Sequence, residues 1–419
     1  MLLLAAVSAR AQPHAGMGDP VFASDALNIE SIVAEVRSAN PQAQAARTRV
    51  EAAKERLPQA AAWDDPRVGV DIERSNRRLL SYSDAEWSIS QTLPLTGKIS
   101  RRKKVASMEI AGAEAAVRQV ELDLEARARA AYVKLAEAEA QLGVNSRSQS
   151  LLRQLVEVTR AKYESGRQRQ ADVLMAETEL AQLAEARVDQ LRDYSEAQTA
   201  LNTLLNRPPQ TPLGHASLPP FSRLHVTLEN LQARASAQRP ELAAAESRIA
   251  AAQARVALAE REPLPDPEIR IEARQFNGTA LYNLREYDTG VFISLPWANR
   301  SKYRAAIREA KHIAEAEQHD HRALENETAA LVRNAWQRLE TFQHHVELFQ
   351  DRLLPLARES VEALRTNYEA DRATLLEAIS AQRTVQETES MYYHHLAEYL
   401  LARAELIPLI GSFDLQATP

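Results

Sequence analysis

Apolar and polar positions follow two different periods along this chain, and the two periods predict long helices joined to short strands. Between residues 100 and 165 the apolar residues recur at alternating steps of three and four, which is the seam of a coiled coil. This segment has no proline and is rich in Ala, Glu, Arg, Leu and Gln, which favour helices. At 1.5 Å per residue we predict a helix on the order of 100 Å long.

The period changes to two in four short segments, and this predicts strands with two different faces. Apolar residues alternate with polar ones over 68–73 and 86–93, and they do so again over 269–273 and 291–295. Each pair of segments predicts a β-hairpin whose strands are about as long as tilted strands that cross a bilayer. An ordinary soluble hairpin fits the same pattern.

The two halves of the chain repeat one programme, and this repetition is the strongest feature of the sequence. A helix, a β-hairpin and a long helical hairpin occur in that order and then occur again. Thr366–Ala381 (TNYEADRATLLEAISA) aligns without gaps on Ala161–Ala176 (AKYESGRQRQADVLMA). We interpret this as an internal tandem duplication.

The repetition divides the chain into five segments. They are a signal-peptide remnant and leader at 1–27, a first repeat at 28–209 with its hairpin at 67–94, a linker at 210–225, a second repeat at 226–411 with its hairpin at 268–296, and a C-terminal tail at 412–419. The leader is predicted from the short apolar run Leu2–Val7, which is followed by small residues at Ala9 and Ala11 that match a signal-peptidase site.

Composition and candidate chemistry point away from catalysis. The 419 residues include 51 basic and 57 acidic side chains, and a net charge of −6 gives no reason to expect a nucleic-acid partner. There is no cysteine, and we find no motif for nucleophilic catalysis or phosphate binding. Two groups of histidines could suggest a metal site, namely His312, His319 and His321, and the pairs 344–345 and 394–395. On long helices they are predicted to be spread over tens of ångströms, so we interpret them as solvated or packed side chains. We therefore predict a protein that is not an enzyme and that binds no cofactor or metal.

Nearly the whole chain, from about Asn28 to Gly411, resembles the TolC-type outer-membrane efflux proteins. The resemblance rests on the duplication, on the turn Tyr163-x-x-Gly166-x5-Asp172-Val173-Leu174 with its partner at Tyr368, and on the sequence Pro94-x-x-Gly97-Lys98. Two passages, NPQAQAARTRVEAAKERLPQAAAWDDPRV and ISQTLPLTGKISRRKK, look most like the branch that serves heavy-metal efflux pumps (CzcC- and CusC-like).

The resemblance implies a mostly α fold with a small β part, shared by three identical chains. Four strands per chain would build a transmembrane β-barrel in outer-membrane lipid, and the helices would build a long α-helical coiled-coil barrel in the periplasm. This homotrimer would work with a periplasmic adaptor (membrane fusion) protein and an inner-membrane RND-type pump. It would be a passive conduit for heavy-metal cations. A channel for drug efflux or type I protein secretion is the alternative, and a soluble coiled-coil scaffold is a remote one.

Aromatic residues near the predicted strand ends agree with a membrane setting. These residues are Trp87, Trp297, Tyr82, Tyr282 and Tyr287. Tryptophan and tyrosine are enriched where proteins meet the membrane interface. Plain core packing remains the alternative for each residue taken alone.

The resemblance also implies where the chain meets its partners. The two turns at 163–172 and 368–377 would form the periplasmic tip. The predicted adaptor-docking residues are Tyr163, Ser165, Gly166, Asp172 and Tyr368. Glycine takes a positive φ at low cost, whereas the second turn has Asp371 at the position that matches Gly166. The strand-to-helix exits are predicted at Pro94, Gly97 and Pro296.

A gate at the second turn is implied in the same way. In TolC-type relatives, carboxylates at this tip ring the closed aperture. The alignment puts Glu377 at the first of these positions and Ser380 at the second, so this chain departs from the family pattern. Asp371 could supply a second carboxylate. The alternative is that Glu377 faces solvent on the outer wall of the tip.

Overall fold

The structure, a computed structural model, describes residues 26–73, 84–276 and 285–412, and it forms two compact units. We call them the helical unit, at 26–41, 121–231 and 331–412, and the sheet unit, at 42–73, 84–120, 232–276 and 285–330. Each unit contains segments of both predicted repeats. The repeat boundaries themselves stay a prediction. The predicted leader and tail lie almost entirely outside the described residues.

Helices dominate the described chain. Their bounds are α1 Ile29–Ala39, α2 Pro41–Lys54, α3 Arg56–Ala61, α4 Lys98–Glu164, α5 Gln170–Leu204, α6 Leu228–Gln238, α7 Pro240–Ala259, α8 Arg300–Leu348, α9 Leu354–Glu369 and α10 Leu375–Ile410. The 67-residue helix α4 confirms the long helix that the apolar seam predicts. None of the described helices is both long enough and apolar enough to cross a membrane.

Two helix breaks occur where an X-Pro step predicts them. Asn40 is extended, with φ −69° and ψ 126°, and α2 begins at Pro41. Arg239 is extended in the same way and α7 begins at Pro240. The proline ring disfavours a helical conformation in the residue before it, so each helix ends there and restarts at the proline.

A third irregularity interrupts the second long helix. Residues Phe349–Leu353 form a π-helical turn between α8 and α9. Pro355 follows this turn, at the start of α9. Proline cannot donate a backbone hydrogen bond to the preceding turn, so the ladder is locally rearranged. Pro355 was the available signal in the sequence.

The four strands form one antiparallel sheet in the sheet unit. They are β1 Arg67–Glu73, β2 Asp84–Thr92, β3 Pro267–Phe276 and β4 Arg285–Ile293, in the order β1-β2-β3-β4. Both predicted hairpins are present, although β4 ends at Ile293 and does not continue to Leu295. The pairing of β2 with β3 joins the two hairpins into one sheet.

The predicted linker is packed into the helical unit. Leu213, Ala216 and Leu224 are buried. Tyrosine hydroxyls from two helices donate to its backbone, Tyr132 Oη to Ser217 O at 3.0 Å and Tyr399 Oη to Ser222 O at 2.6 Å. These contacts fix a segment that has no helix or strand of its own.

Candidate functional site

Two interhelical turns in the helical unit share one backbone design. We call residues 162–172 the α4–α5 turn and residues 367–377 the α9–α10 turn. In the first, Gly166 N donates to Tyr163 O at 2.9 Å and Arg167 N donates to Lys162 O at 2.8 Å. In the second, the two corresponding bonds measure 3.2 and 2.8 Å. This pair of bonds is the Schellman motif that closes many helices.

The motif requires a left-handed residue at one position, and the two turns fill it differently. Gly166 has φ +74° and Asp371 has φ +59°. A Cβ atom on Gly166 would meet nothing within 4 Å, so glycine is favoured there by backbone conformation and not by space. Asp371 is a less favourable residue in the same conformation.

The predicted gate residue Glu377 has a structural task within its own turn. Its Oε2 accepts hydrogen bonds from Thr374 N at 2.7 Å and from Thr374 Oγ1 at 2.8 Å. Together with the bond from Glu377 N to Thr374 Oγ1, these contacts form a capping box at the start of α10. The backbone hydrogen bond from Thr374, followed by its hydroxyl, lowers the pKa of Glu377. The Thr-x-x-Glu sequence was the signal for this role.

Asp172 occupies the corresponding position in the α4–α5 turn. Its Oδ2 accepts a hydrogen bond from Arg169 N at 3.3 Å, and its side chain is buried. It therefore begins α5 as Glu377 begins α10. A docking contact through the Asp172 carboxylate stays a prediction.

The two aligned tyrosines, Tyr163 and Tyr368, differ strongly in solvent exposure. Tyr163 is 43% exposed, whereas Tyr368 is 1% exposed. Tyr368 Oη lies 2.8 Å from Thr159 Oγ1, and its ring packs in a cluster with Leu152, Val156 and Ile379. The side chain of Tyr368 thus supports the turns from within, and only Tyr163 presents an aromatic surface.

Asp371 connects the two turns electrostatically. Its Oδ1 lies 2.6 Å from Lys162 Nζ and its Oδ2 lies 3.8 Å from Arg167 Nη1. Lys162 Nζ also donates to Tyr368 O and lies over the Tyr368 ring. The hydrogen bond from Lys162, aided by its charge, lowers the pKa of Asp371. The carboxylate is therefore ionised at neutral pH.

Exposed apolar side chains surround the turns, and sequence reasoning did not single out two of them. Leu174 and Met175 at the start of α5 and Leu376 at the start of α10 are all exposed, as is Tyr163. Met175 and Leu376 escaped notice because the helix period alone does not say which face is covered. A cluster of exposed apolar residues is typical of an interaction surface.

The sheet unit presents a second candidate surface, formed by one apolar face. Register places Val70 opposite Trp87 and Trp87 opposite Ala273, so these residues share a face. Residues opposite one another or two apart along a strand lie on the same side of a sheet. The polar residues Gln91, Gln275 and Thr289 also lie on this face. Its apolar residues are Val68, Val70, Ile72, Ala85, Trp87, Ile89, Ile269, Ile271, Ala273, Tyr287, Val291 and Ile293. All of these apolar residues except Ala85 and Ala273 are exposed.

The opposite face of the same sheet is charged. Arg274 Nη2 lies 2.5 Å from Glu86 Oε2 across the β2–β3 pair. Arg270 lies between Glu268 and Glu272, at 3.2 and 3.6 Å. The sheet thus has an apolar side that is exposed and a charged side on which Arg270 and Arg274 pair with glutamates.

The aromatic residues agree only in part with the predicted belts. Trp87 lies inside β2 and not at its end, because β2 begins at Asp84. Tyr287 lies near the start of β4, and Trp297 lies in a short 3-10 helix, Pro296–Asn299, after it. Both are exposed. Tyr82 and Tyr282 lie outside the described residues.

The two strand-to-helix exits are built differently. At the first, Gly97 has φ +77° and precedes α4, and Pro94 lies just after β2. At the second, Pro296 begins the 3-10 helix that leads to α8. Each of the predicted exit residues therefore lies between a strand and a helix.

An unpredicted ion pair fixes the first exit. Lys98 Nζ lies 3.0 Å from Asp266 Oδ2, and Asp266 Oδ1 accepts hydrogen bonds from Thr96 N and Thr96 Oγ1 at 3.1 and 2.7 Å. Burial alone would raise the pKa of Asp266, but the bonds from Thr96 and Lys98 outweigh it and lower the pKa. The start of α4 is thus tied to the residue before β3.

The histidine prediction was wrong about distance. His345 on α8 and His395 on α10 have ring centroids 4.8 Å apart, because α8 and α10 pack together in the helical unit. The prediction measured separation along a helix and overlooked packing between helices. Among the described residues, no group of three or more His, Asp or Glu side chains could hold a metal ion.

Comparison with known proteins identifies the class. A family model described as outer membrane efflux protein matches residues 32–207 and 231–412, and the chain therefore belongs to this family. Membership indicates an outer-membrane efflux protein. A search of curated protein sequences returned no match.

Solved structures share the fold. The outer-membrane channel OprN matches with a TM-score of 0.78 at 19% identity, over 93% of this chain and 91% of its own. CusC matches with a TM-score of 0.78 at 16% identity, over 96% and 95%. VceC from Vibrio cholerae matches with a TM-score of 0.76 at 16% identity, over 92% and 97%.

Proposed function

We propose that this chain is the outer-membrane channel of a tripartite efflux system and works as a homotrimer. The observation that carries the proposal is the four-stranded sheet with an exposed apolar face on one side and paired charges on the other. Such a surface is costly in water and favourable in lipid. The family assignment supports the same conclusion.

The sheet edges supply the argument for a trimer. β1 and β4 each pair with one other strand in the described chain, so each has an edge open to further pairing. Unpaired backbone groups within a bilayer are strongly disfavoured. We propose that β1 of one chain pairs with β4 of the next, so that three chains close a twelve-stranded barrel with the apolar face toward lipid.

Fractionation and sedimentation test this assembly. The protein should fractionate with the outer membrane and should sediment in detergent as three chains. The variant Val70→Lys places a charge on the apolar face and should reduce membrane insertion, because a cation near the bilayer midplane costs about 2–4 kcal/mol. Asp71→Lys, on the next residue but the other face, is the matched control. A soluble monomer in the periplasm or the cytoplasm would contradict the proposal.

We further propose that the two turns form the periplasmic tip and dock the periplasmic adaptor. The adaptor and an inner-membrane RND-type pump would feed the channel. The exposed apolar cluster of Tyr163, Leu174, Met175 and Leu376 supports this proposal. Ser165 and Gly166 lie beside it in the first turn. Bulky or charged substitutions at Ser165 and Gly166 should abolish efflux and leave the trimer intact.

Crosslinking tests the docking directly, because the chain has no natural cysteine. Ser165→Cys should form a crosslink with the adaptor in intact cells, whereas Glu196→Cys, exposed on α5 away from the turn, should not. Equal crosslinking from the two positions, or none from Ser165→Cys in a cell that performs efflux, would rule out docking at this turn.

A carboxylate aperture at the α9–α10 turn remains part of the proposal. Glu377 and Asp371 are both exposed and are both predicted to be ionised at neutral pH, from the direction of their pKa shifts. Three copies around a threefold axis would attract cations in a narrow pore. Divalent cations added on the periplasmic side should then block conductance in a planar bilayer. If Glu377→Gln leaves that block unchanged, the ring does not lie at this position.

We propose heavy-metal cations as the cargo, on the strength of the two passages that resemble the metal-exporting branch. Deletion of the gene should sensitise cells to divalent transition metals, and restoring it should reverse that effect. Sensitisation to organic drugs with unchanged metal tolerance would favour drug efflux instead. Loss of a secreted protein would favour type I secretion.

A further inference from the structure

Four histidine rings lie close together in the helical unit, two on one helix and two on another. His344 and His345 lie on α8, and His394 and His395 lie on α10. The central rings, His345 and His395, have centroids 4.8 Å apart. The outer rings follow at 6.3 Å from His344 to His345 and at 5.8 Å from His394 to His395.

The central pair has unsatisfied ring nitrogens. Nδ1 of His345 and Nδ1 of His395 are buried, and neither has a hydrogen-bond partner among the described residues. Buried polar atoms in proteins are nearly always satisfied by another group, by water or by an ion. Phe349 lies 4.9 Å from the His395 ring and Phe342 lies 6.3 Å from it, so its nearest ring neighbours include apolar as well as polar groups.

The outer histidine on α10 is already engaged. His394 Nδ1 lies 2.8 Å from Glu137 Oε1, and Glu137 also lies 3.4 Å from Lys134 Nζ. Lys134 further pairs with Glu398 at 3.6 Å. The nearby charged groups are therefore paired among themselves, and the two unpartnered Nδ1 atoms remain as the available ligands.

The spacing of the central pair suits a shared cation. A metal–nitrogen bond to histidine is about 2.0–2.1 Å long, so two imidazoles on one ion have centroids roughly 5–6 Å apart. The observed separation is a few tenths of an ångström below this range, and a small ring rotation would remove the difference. Imidazole nitrogen is a preferred ligand of zinc, copper and nickel.

We propose that His345 and His395 form a two-imidazole site for a transition-metal cation, bound through their Nδ1 atoms. Histidine must be neutral to bind a metal. Only two protein ligands are present, so the ion exchanges readily. The proposal of this site is independent of the proposed cargo. The site would be present whether this chain exports metal cations or drugs.

Zinc binding to the purified, untagged protein tests the proposal. Equilibrium dialysis against Zn²⁺ should give one bound ion per chain with a dissociation constant in roughly the micromolar range, weaker than structural zinc sites. His345→Gln and His395→Gln should each weaken binding by about tenfold or more. His312→Gln and His319→Gln, on α8 but within the sheet unit, are matched controls and should bind as the natural chain does.

X-ray absorption on the zinc-loaded natural protein gives a second readout that needs no variant. The zinc spectrum should show scattering from two imidazole rings per ion. No binding at about 100 μM free Zn²⁺, a spectrum without imidazole, or unchanged affinity in both His345→Gln and His395→Gln would each overturn the site. If a variant fails to fold, the X-ray absorption spectrum of the natural protein decides whether the site exists.

Discussion

Gly166 and Asp371 occupy the same left-handed position in two turns that have the same hydrogen bonds. In the α4–α5 turn, glycine takes this conformation without penalty, and an exposed Tyr163 precedes it. In the α9–α10 turn, an aspartate is held there by Lys162 and Arg167, and the aligned Tyr368 is buried. The left-handed residue of the first turn is thus held by its own backbone, whereas that of the second is held by side chains that reach it from the first.

This difference separates two tasks. Where the left-handed residue needs no supporting side chain, the surface residues of the turn remain available for a partner, as with Tyr163 and Leu174. A turn that depends on an ion pair, a buried tyrosine and a capping box can be altered by changing any of these. We therefore expect the α4–α5 turn to be robust and the α9–α10 turn to be the adjustable one.

The largest expected effect comes from the aligned tyrosines. Tyr368→Ala should weaken the α9–α10 turn by about 3 kcal/mol or more, because it removes a buried aromatic ring from a packed cluster. Tyr163→Ala should cost less than about 0.5 kcal/mol, because the ring is exposed. Hydrogen exchange read by mass spectrometry on peptides from the two turns measures both. Similar losses of protection would show that the turns are supported alike.

Glycine replacement is the next largest test. Gly166→Ala should cost about 1–2 kcal/mol, since alanine disfavours the left-handed region. Gly143→Ala is the matched control within α4, where the same change should stabilise the helix by about 0.5–1 kcal/mol. The signs are opposite because Gly166 has a positive φ and Gly143 does not. If both substitutions stabilise, the turn does not need glycine.

Much of this architecture could be predicted from the pattern of residues. Period and proline located α4, the two hairpins and the breaks at Asn40 and Arg239, because these depend on local preferences. The burial of Tyr368 and the contact of His345 with His395 could not be predicted from local patterns. Both depend on which faces of the helices pack against one another. The cap at Glu377 lay in the sequence as Thr-x-x-Glu, but the family resemblance drew attention to the aperture instead.

Helix capping should give a smaller difference between the turns. Thr374→Ala removes the hydroxyl that accepts from Glu377 N and should destabilise the start of α10 by about 1 kcal/mol. The equivalent residue Arg169 makes no such side-chain cap, so Arg169→Ala should have little effect on α5. Thr366→Ala, inside α9, controls for loss of a hydroxyl elsewhere. Hydrogen exchange at the first turn of each helix is the measurement, and equal responses at Thr374 and Arg169 would contradict the comparison.

The smallest expected effect is the response of the turns to acid. The pKa of Asp371 is lower in the folded chain than its ordinary value of about 3.9, chiefly through its hydrogen bond with Lys162. Its contribution to stability is therefore fully present above the ordinary pKa and is lost as the pH falls through the lower, folded value. Glu377, whose pKa is also lowered, acts in the same direction. Solvent screens both exposed groups, so the effect is small.

This acid response should be unequal between the two turns, because Gly166 stands where the second turn has Asp371. Hydrogen exchange, corrected for the intrinsic effect of pH, should show the α9–α10 turn opening more readily below about pH 4. Asp371→Asn should remove part of this change, and the part due to Glu377 should remain. Lys162→Met should weaken the response as well, since it removes the main partner that lowers the pKa of Asp371. A full acid response in Asp371→Asn would show that this ion pair does not help to hold the turn.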